Sequence, residues 1–591
     1  MSRLAHIGVV ALGLVLLAVP FAAAEEPRLV AAGDGVSALL PDGRVAWRVS
    51  LPHGVTPETP VWQGATVLLG SGARLDRFGG LLERICSAEP AAAPPGARPH
   101  RVPRWDEPAE ITAPPPSGSS DAHRPPFFDS RGNAWVVLTS IKSGKYSLKA
   151  RRSDGHDGTW GPLETLSDTT KYVAGPEAAI DHQDNITIAF RDISSGYRLY
   201  AIRYQPETGW GGLQQIYASS FYFQAIEAGA DDAGNVVVLF DRESSGKDTV
   251  WSITYHAATG TWGTAQQVSP AGYSLLLPTL LRNRAGDAIY LVYLVTSGGS
   301  PGLYAQRWDR QTLSWGQAEF LPGSEVAGYS LAGPASRFPG TVDAQGNVTV
   351  FWENAYPGPY APYASRCQDG TWQEAVQLLD FGKSVDVENF AGADVASTGD
   401  VFAVVTRFET GPNRMYAFRY DAEEGWQPAE NPYTSTLSIA TRVRVDFYQS
   451  EKAVATVLGQ QDSVRQLTSL LHDGTAWLPD LVDIPGVEDA YYSDLASDRA
   501  EALLVYEAES GGNQGIKATF LRSTPGDYDE DGDVGLDDYA VFHDCLAGPG
   551  AEPAPSLPGV SPQDCRNAFD FDDDTDVDLA DAPPLLAGFS G

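Results

Sequence analysis

Seven acidic residues crowd into the twelve positions from Asp527 to Asp538 of "GDYDEDGDVGLDDYAVF", and their spacing is regular. Asp527, Asp529 and Asp531 take positions 1, 3 and 5, Gly532 takes 6, and Asp538 takes 12. Alternate side chains of such a loop converge on one hard cation, the glycine permits the sharp turn, and position 12 closes the shell. Asp533, at position 7, would add its backbone carbonyl. The register returns 43 residues later in "FDFDDDTDVDLADAP", with Asp570, Asp572 and Asp574 at 1, 3 and 5, Asp576 at 7 and Asp581 at 12. Thr575 replaces the glycine there, and Pro583 and Pro584 shorten any following helix. Two loops in one register argue for calcium as the bound ion, against the alternative of a solvated acidic tail. Val534 and Leu536, at positions 8 and 10 of the first loop, are expected to face inward. Cys545 and Cys565 lie between the loops and are suited to a disulfide closing a 20-residue loop.

Other chemistry is harder to nominate. The four cysteines lack zinc-ligand spacing, the nine histidines are scattered, and carboxylate pairs for glycoside hydrolysis do not stand out among so many surface acids. The sequence nominates no catalytic residue. A recurring aromatic is more informative. "TKYVAGP" (Tyr172), "SSFYFQA" (Tyr222), "AGYSLLLP" (Tyr273), "AGYSLAGP" (Tyr329) and "DAYYSDL" (Tyr492) each precede a strand-like run. The loop "ENAYPGPYAPY" adds Tyr356, Tyr360 and Tyr363. Such rings either stack on a ligand such as a sugar or wedge between structural repeats.

The elements that must position these residues form a repeat. A turn-then-strand phrase recurs in "DSRGNAWVVL", "DHQDNITIAF", "DDAGNVVVLF", "NRAGDAIYLVY", "DAQGNVTVFW" and "ASTGDVFAVV". A second phrase carries Trp160, Trp210, Trp262, Trp315, Trp372, Trp426 and Trp477, 50 to 57 residues apart. With the strands between and around them, each unit holds four short antiparallel strands, which is the pattern of a β-propeller. The last unit lacks its Trp phrase, while an orphan one, "PRWDEPAEIT" at Trp105, precedes the first. The strand after Trp105 is therefore expected to complete the last blade. The fold class is all-β, a propeller of eight blades (alternatively seven) over residues 99–523, followed by a small α-helical module over 524–591.

The acidic loops are of the EF-hand type. With aspartate at position 12 and a paired C-terminal placement, residues 524–591 resemble the dockerin module of secreted polysaccharide-degrading proteins. That resemblance implies calcium ligation by the ten aspartates above and docking onto a cohesin-like partner through the helix starts. The docking positions would be Leu536 and Asp537, then Leu579 and Ala580. The phrase "SDGHDGTW", Ser153 to Trp160, resembles the Asp-box of sialidase-like propellers, in which the tryptophan packs between strands. "SRFPG" at Arg337 is similar to the arginine phrase of sialidases but falls mid-ring. "VSALLPDGRVAWRVSL", within residues 25–98, resembles a blade of quinoprotein-type propellers.

The net charge of −35 argues against nucleic acid or an anionic membrane surface as the main partner. Residues 1–24, with Arg3, an apolar run from Ile7 to Val19 and Ala22-Ala23-Ala24, read as a signal peptide. No later stretch is apolar enough to span a membrane. These features lead us to expect a secreted, extracellular or surface-attached recognition protein for glycan or protein, with calcium in its tail. The rival expectations are a polysaccharide-degrading hydrolase or lyase on the same scaffold, and a cell-surface structural protein.

Overall fold

The computed structural model describes six short strands between Arg28 and Asp76, and residues 103–585 apart from connecting segments such as 113–119, 154–158, 271–273, 329–337, 355–360, 381–386, 408–412, 529–533 and 570–575. Residues Val102–Ser523 form one compact unit, an eight-bladed β-propeller. Each blade starts with its innermost strand. These are Ser120–His123, Val173–Ile180, Ile226–Ala230, Ser274–Arg282, Gly340–Val342, Val387–Val395, Ile439–Phe447 and Ala490–Ser497. From the second blade to the eighth, first strands of neighbouring blades touch one another around the axis.

The turn phrase explains how each inner strand hands over to the second. In the first blade, the Asp129 carboxylate accepts hydrogen bonds from the Asn133 backbone N–H at 3.0 Å and its Nδ2 at 2.9 Å. Asp181 with Asn185, Asp231 with Asn235 and Asp343 with Asn347 repeat the arrangement. The fourth blade reverses the pair: Asn283 donates to Asp287 at 2.5 Å. A left-handed residue completes the turn, Gly132, Gly234, Gly286 or Gly346 in four blades and Asp184 (φ 60°) in the second. Aspartate tolerates that region better than most side chains. Asp184 is also engaged from the first blade, by the Ser130 N–H at 2.8 Å and hydroxyl at 2.7 Å.

The tryptophan phrase builds the outer edge. Four short strands per unit were expected, and in most blades the fourth is broken into two short pieces, as in Gly209–Trp210 and Gln214–Ser219. The first piece pairs with the end of the third strand, so Trp210 lies opposite Tyr204. Ring centroids of Tyr204 and Trp210, Tyr255 and Trp262, Trp308 and Trp315, Tyr420 and Trp426, and His472 and Trp477 lie 5.3–5.5 Å apart. These tryptophans are packing residues.

Ring closure follows the expected route. The last long strand, Asn513–Arg522, pairs with Arg104–Trp105 and with Ala109–Thr112, so chain from before the first blade completes the eighth. The Trp105 indole N–H donates to Ser469 Oγ at 2.8 Å in the seventh blade. The eighth and first blades also share a bridge, Gln514 with Ser120, which joins them into one ten-stranded sheet.

Outside the ring, the strands between Arg28 and Asp76 form two three-stranded antiparallel sheets. Near the C-terminus, the helices Leu536–Cys545 and Pro562–Phe569 are joined by the Cys545–Cys565 disulfide. Val534 and Val577, equivalent positions of the two acidic loops, are both fully buried with Phe542, Phe569 and Leu585. Leu536 corrects the sequence expectation. It is 39% exposed rather than inward-facing, because it opens the helix and the turn of chain ahead of it already fills the core with Val534.

Candidate functional site

One mouth of the ring is built from the connections into each inner strand and those between second and third strands, which antiparallel pairing brings to the same end. The described aromatic candidates divide there. Tyr172 is half-buried; its hydroxyl donates to Tyr146 Oη at 2.6 Å and the two rings lie 3.6 Å apart. Tyr363 is also half-buried, stacked with Trp352 at 6.1 Å and bonded through its hydroxyl to Gln377 at 3.1 Å. Tyr222 and Tyr492 are 38% and 39% exposed, and Phe221 is 41% exposed. Tyr273, Tyr329, Tyr356, Tyr360 and Arg337 lie outside the described residues.

Neighbours on the same rim hold the exposed rings in place. Arg242 lies between Phe221 and Trp251, 4.5 and 4.7 Å from their centroids, and donates to the Tyr217 hydroxyl at 3.3 Å. Tyr197 packs edge-on against Tyr222 at 5.2 Å. At the eighth blade, Tyr491 donates to Glu509 while the Arg465 guanidinium sits 3.5 Å from the Tyr491 ring centroid. The bond to Glu509 raises the Tyr491 pKa, so the phenol keeps its proton at neutral pH. Tyr492, next along the chain, is the exposed neighbour of this trio.

Deeper in the channel the structure assembles a constellation that sequence reasoning did not find. His123 of the first blade is 1% exposed at its side chain. Its Nε2 lies 3.5 Å from Asp494 and its Nδ1 lies 3.7 Å from Glu507, both of the eighth blade. Asp494 also accepts from Arg444 Nε of the seventh blade at 2.9 Å. The local signal was "SDAHRP", which puts a histidine where other blades carry small or apolar residues, but its partners come from the far end of the ring. At the opposite end of the channel, Arg284 of the fourth blade donates to the Ser497 carbonyl of the eighth at 3.0 Å. The Ser497 hydroxyl donates to Asp446 at 2.5 Å. Burial, and then neighbouring Asp394, push the Asp446 pKa well above the ordinary carboxylate range. Side chains therefore cross the channel at that end.

In the C-terminal segment, Asp538 accepts from the Tyr528 N–H at 2.5 Å and the Gly535 N–H at 2.7 Å. Asp581 repeats the second contact in the other loop, accepting from the Asp578 N–H at 2.8 Å. Asp576, Asp578 and Asp581 bring carboxylate oxygens within 4.8 Å of one another. That spread suits an oxygen-ligated calcium ion with metal–ligand distances near 2.3–2.6 Å. Asp578, at position 9, was not among the expected ligands, although position 9 of such a loop commonly contributes a ligand, often through water. Asp527, Asp529, Asp531, Asp533, Asp570, Asp572 and Asp574 lie outside the described residues.

No protein-family model and no curated protein matches the chain. Several solved structures are similar to part of the chain. A lectin from Burkholderia pseudomallei is 12% identical, with 62% of this chain and 98% of that one covered and a TM-score of 0.41. The β-propeller domain of the trilobed protease from Pyrococcus furiosus is 14% identical, covering 60% and 96%, with a TM-score of 0.36. An ulvan lyase, a polysaccharide lyase, is 11% identical, covering 59% and 94%, with a TM-score of 0.37. These likenesses concern the fold. In class, the protein is an eight-bladed β-propeller with an aromatic rim at one mouth.

Proposed function

We propose that the chain is a secreted recognition protein that binds glycan at this mouth and uses a calcium-loaded C-terminal segment for attachment. One observation carries the binding reading. Among the described residues only three large aromatic side chains are exposed: Phe221 and Tyr222 on the connection leading into Ile226–Ala230, and Tyr492 near the start of the inner strand Ala490–Ser497. An exposed ring backed by other rings is a flat, pre-ordered platform for the apolar face of a sugar. Calcium would be held in the second loop by Asp576, Asp578 and Asp581 together with the aspartates before them. It would relieve repulsion among carboxylates that otherwise face one another. Exposed Leu536, at the start of its helix, supports a docking surface for a cohesin-like or cell-surface partner.

A second reading, a glycoside-cleaving enzyme, is favoured by the Tyr491–Glu509 pair beside Arg465. A tyrosine with a carboxylate base in contact is one known nucleophile arrangement for glycoside hydrolysis. A glycan array run in parallel with assays for newly released sugar ends separates the two. Binding without release is expected, with Tyr222→Ala and Tyr492→Ala each weakening affinity about five- to thirtyfold, a ring contact of roughly 1–2 kcal/mol. New ends that vanish in Tyr491→Phe would replace the binding reading with the enzymatic one.

A further inference from the structure

Between the first and second blades, guanidinium groups from both blades approach the same glycine. Arg124 follows the inner strand of the first blade, and Arg191 is the penultimate residue of Ile186–Asp192 in the second. Between them lies Gly175, in the left-handed region at φ 56°. It belongs to an irregular stretch of Val173–Ile180, where pairing with the second strand skips between Ala174 and Glu177. A side-chain carbon built on Gly175 would lie 3.4 Å from Arg124 Nη2 and 4.0 Å from Arg191 Nε. The absent side chain thus leaves a niche faced by donors from two blades.

The donors are only partly used. Arg191 Nη1 donates to the Phe223 carbonyl at 3.0 Å, which fixes the guanidinium, but its buried Nε has no hydrogen-bond partner. Arg124 is 34% exposed at its side chain. Its neighbour Glu177 comes no nearer than 3.9 Å, beyond hydrogen-bond range, and leaves its donors available. Asp192, the other nearby carboxylate, is 1% exposed, and its Oδ1 accepts from the backbone N–H groups of Tyr172 and Ser194, each at 3.0 Å. A half-buried guanidinium with unused donors is costly unless an acceptor reaches it. Planar guanidinium forks match carboxylate and sulfate oxygens.

We propose that this niche is a subsite for an anionic group of the glycan, a carboxylate or a sulfate ester, gripped by Arg124 and Arg191 in the space Gly175 leaves open. The inference rests on the glycan reading of the mouth and gives it a substrate class, acidic polysaccharide. Tyr172, three residues before Gly175 and packed against Tyr146, supplies the adjoining ring. The protein's net charge of −35 opposes polyanions at long range, so the niche acts through short contacts. Physiological salt, with a screening length of about 8 Å, permits that.

The test measures binding of the full-length protein to dextran, dextran sulfate and polygalacturonate at physiological salt. At least one acidic polymer is expected to bind roughly tenfold or more tightly than dextran, the effect of one or two charge-assisted hydrogen bonds. Whichever acidic polymer shows the gain identifies the group as sulfate or carboxylate. Arg124→Gln, at a partly exposed position whose nearest carboxylate is Glu177 at 3.9 Å, is expected to lose that gain while keeping dextran binding. Arg191→Lys, which keeps the charge, is expected to lose less of it than Arg191→Gln. Equal affinity for dextran and both acidic polymers would overturn the subsite and leave the glycan reading standing. Persistence of the preference in Arg124→Gln would overturn its placement, and binding to no polymer would overturn both.

Discussion

His472 shows how strongly a single side chain here depends on its surroundings. It is fully buried at the outer edge of the seventh blade, edge-on to Phe402 and Trp477. Burial, and then the nearby Arg419 charge, lower its pKa to about 4, against the opposing pull of Asp473 and Asp400. The unfolded chain takes up this proton near pH 6.5, while the fold resists it until about pH 4. Between those values the unfolded state binds more protons, so stability falls as pH falls, by up to about 3 kcal/mol across the window. Above pH 6.5 the group contributes no slope. His472→Gln is expected to flatten the decline in denaturation midpoint between pH 6.5 and pH 4. An unchanged pH profile would show that this imidazole is not held neutral. Asp446, raised instead of lowered, works in the opposite direction as pH rises, and His472→Gln leaves that contribution in place in both proteins compared.

Among elements, the seam between the eighth and first blades matters most, because an open ring would expose strand edges. Two devices close it: the strands Arg104–Trp105 and Ala109–Thr112 on the last blade, and the His123 contacts to Asp494 and Glu507. Trp105 is 4% exposed and its indole N–H is satisfied, whereas Trp262 is only half-buried and its buried indole nitrogen has no partner. Trp105→Ala is therefore expected to destabilise the ring by about 3–5 kcal/mol, and Trp262→Ala by less. The two melting temperatures provide the check; an equal or smaller loss at Trp105 would mean that closure does not depend on the orphan phrase. The blade repeat itself was legible because its markers lie close together in sequence. An aspartate and an asparagine four residues on, flanking a glycine, are both the motif and the complete hydrogen-bonded turn. The broken fourth strand was not legible, since it depends on how each tryptophan seats against the preceding blade edge.

At the scale of the whole molecule, the charge distribution separates the ring from the tail. Between Asp527 and the C-terminus seventeen acids stand against one arginine. Such crowding is stable as a folded piece only if cations offset it. Titration of the full-length, chelator-stripped protein is expected to show two calcium ions per chain, with Asp538→Ala and Asp581→Ala each removing one. Should the stripped protein take up none, the attachment reading would fall while the mouth of the propeller remained intact as a binding face.

Local spacing sufficed to read the repeat, its closure by the segment around Trp105 and the matching register of the two acidic runs. Each of these rests on residues a few positions apart or on a phrase that recurs at a steady interval. Tertiary packing settled which rim aromatics are exposed. It alone brought His123 to Asp494 and Glu507, and Arg124 to Arg191 across Gly175. Bending a linear repeat into a closed ring makes neighbours of side chains from separate blades, and their contacts depend on rotation, stagger and strand irregularity, none of which is written in local spacing.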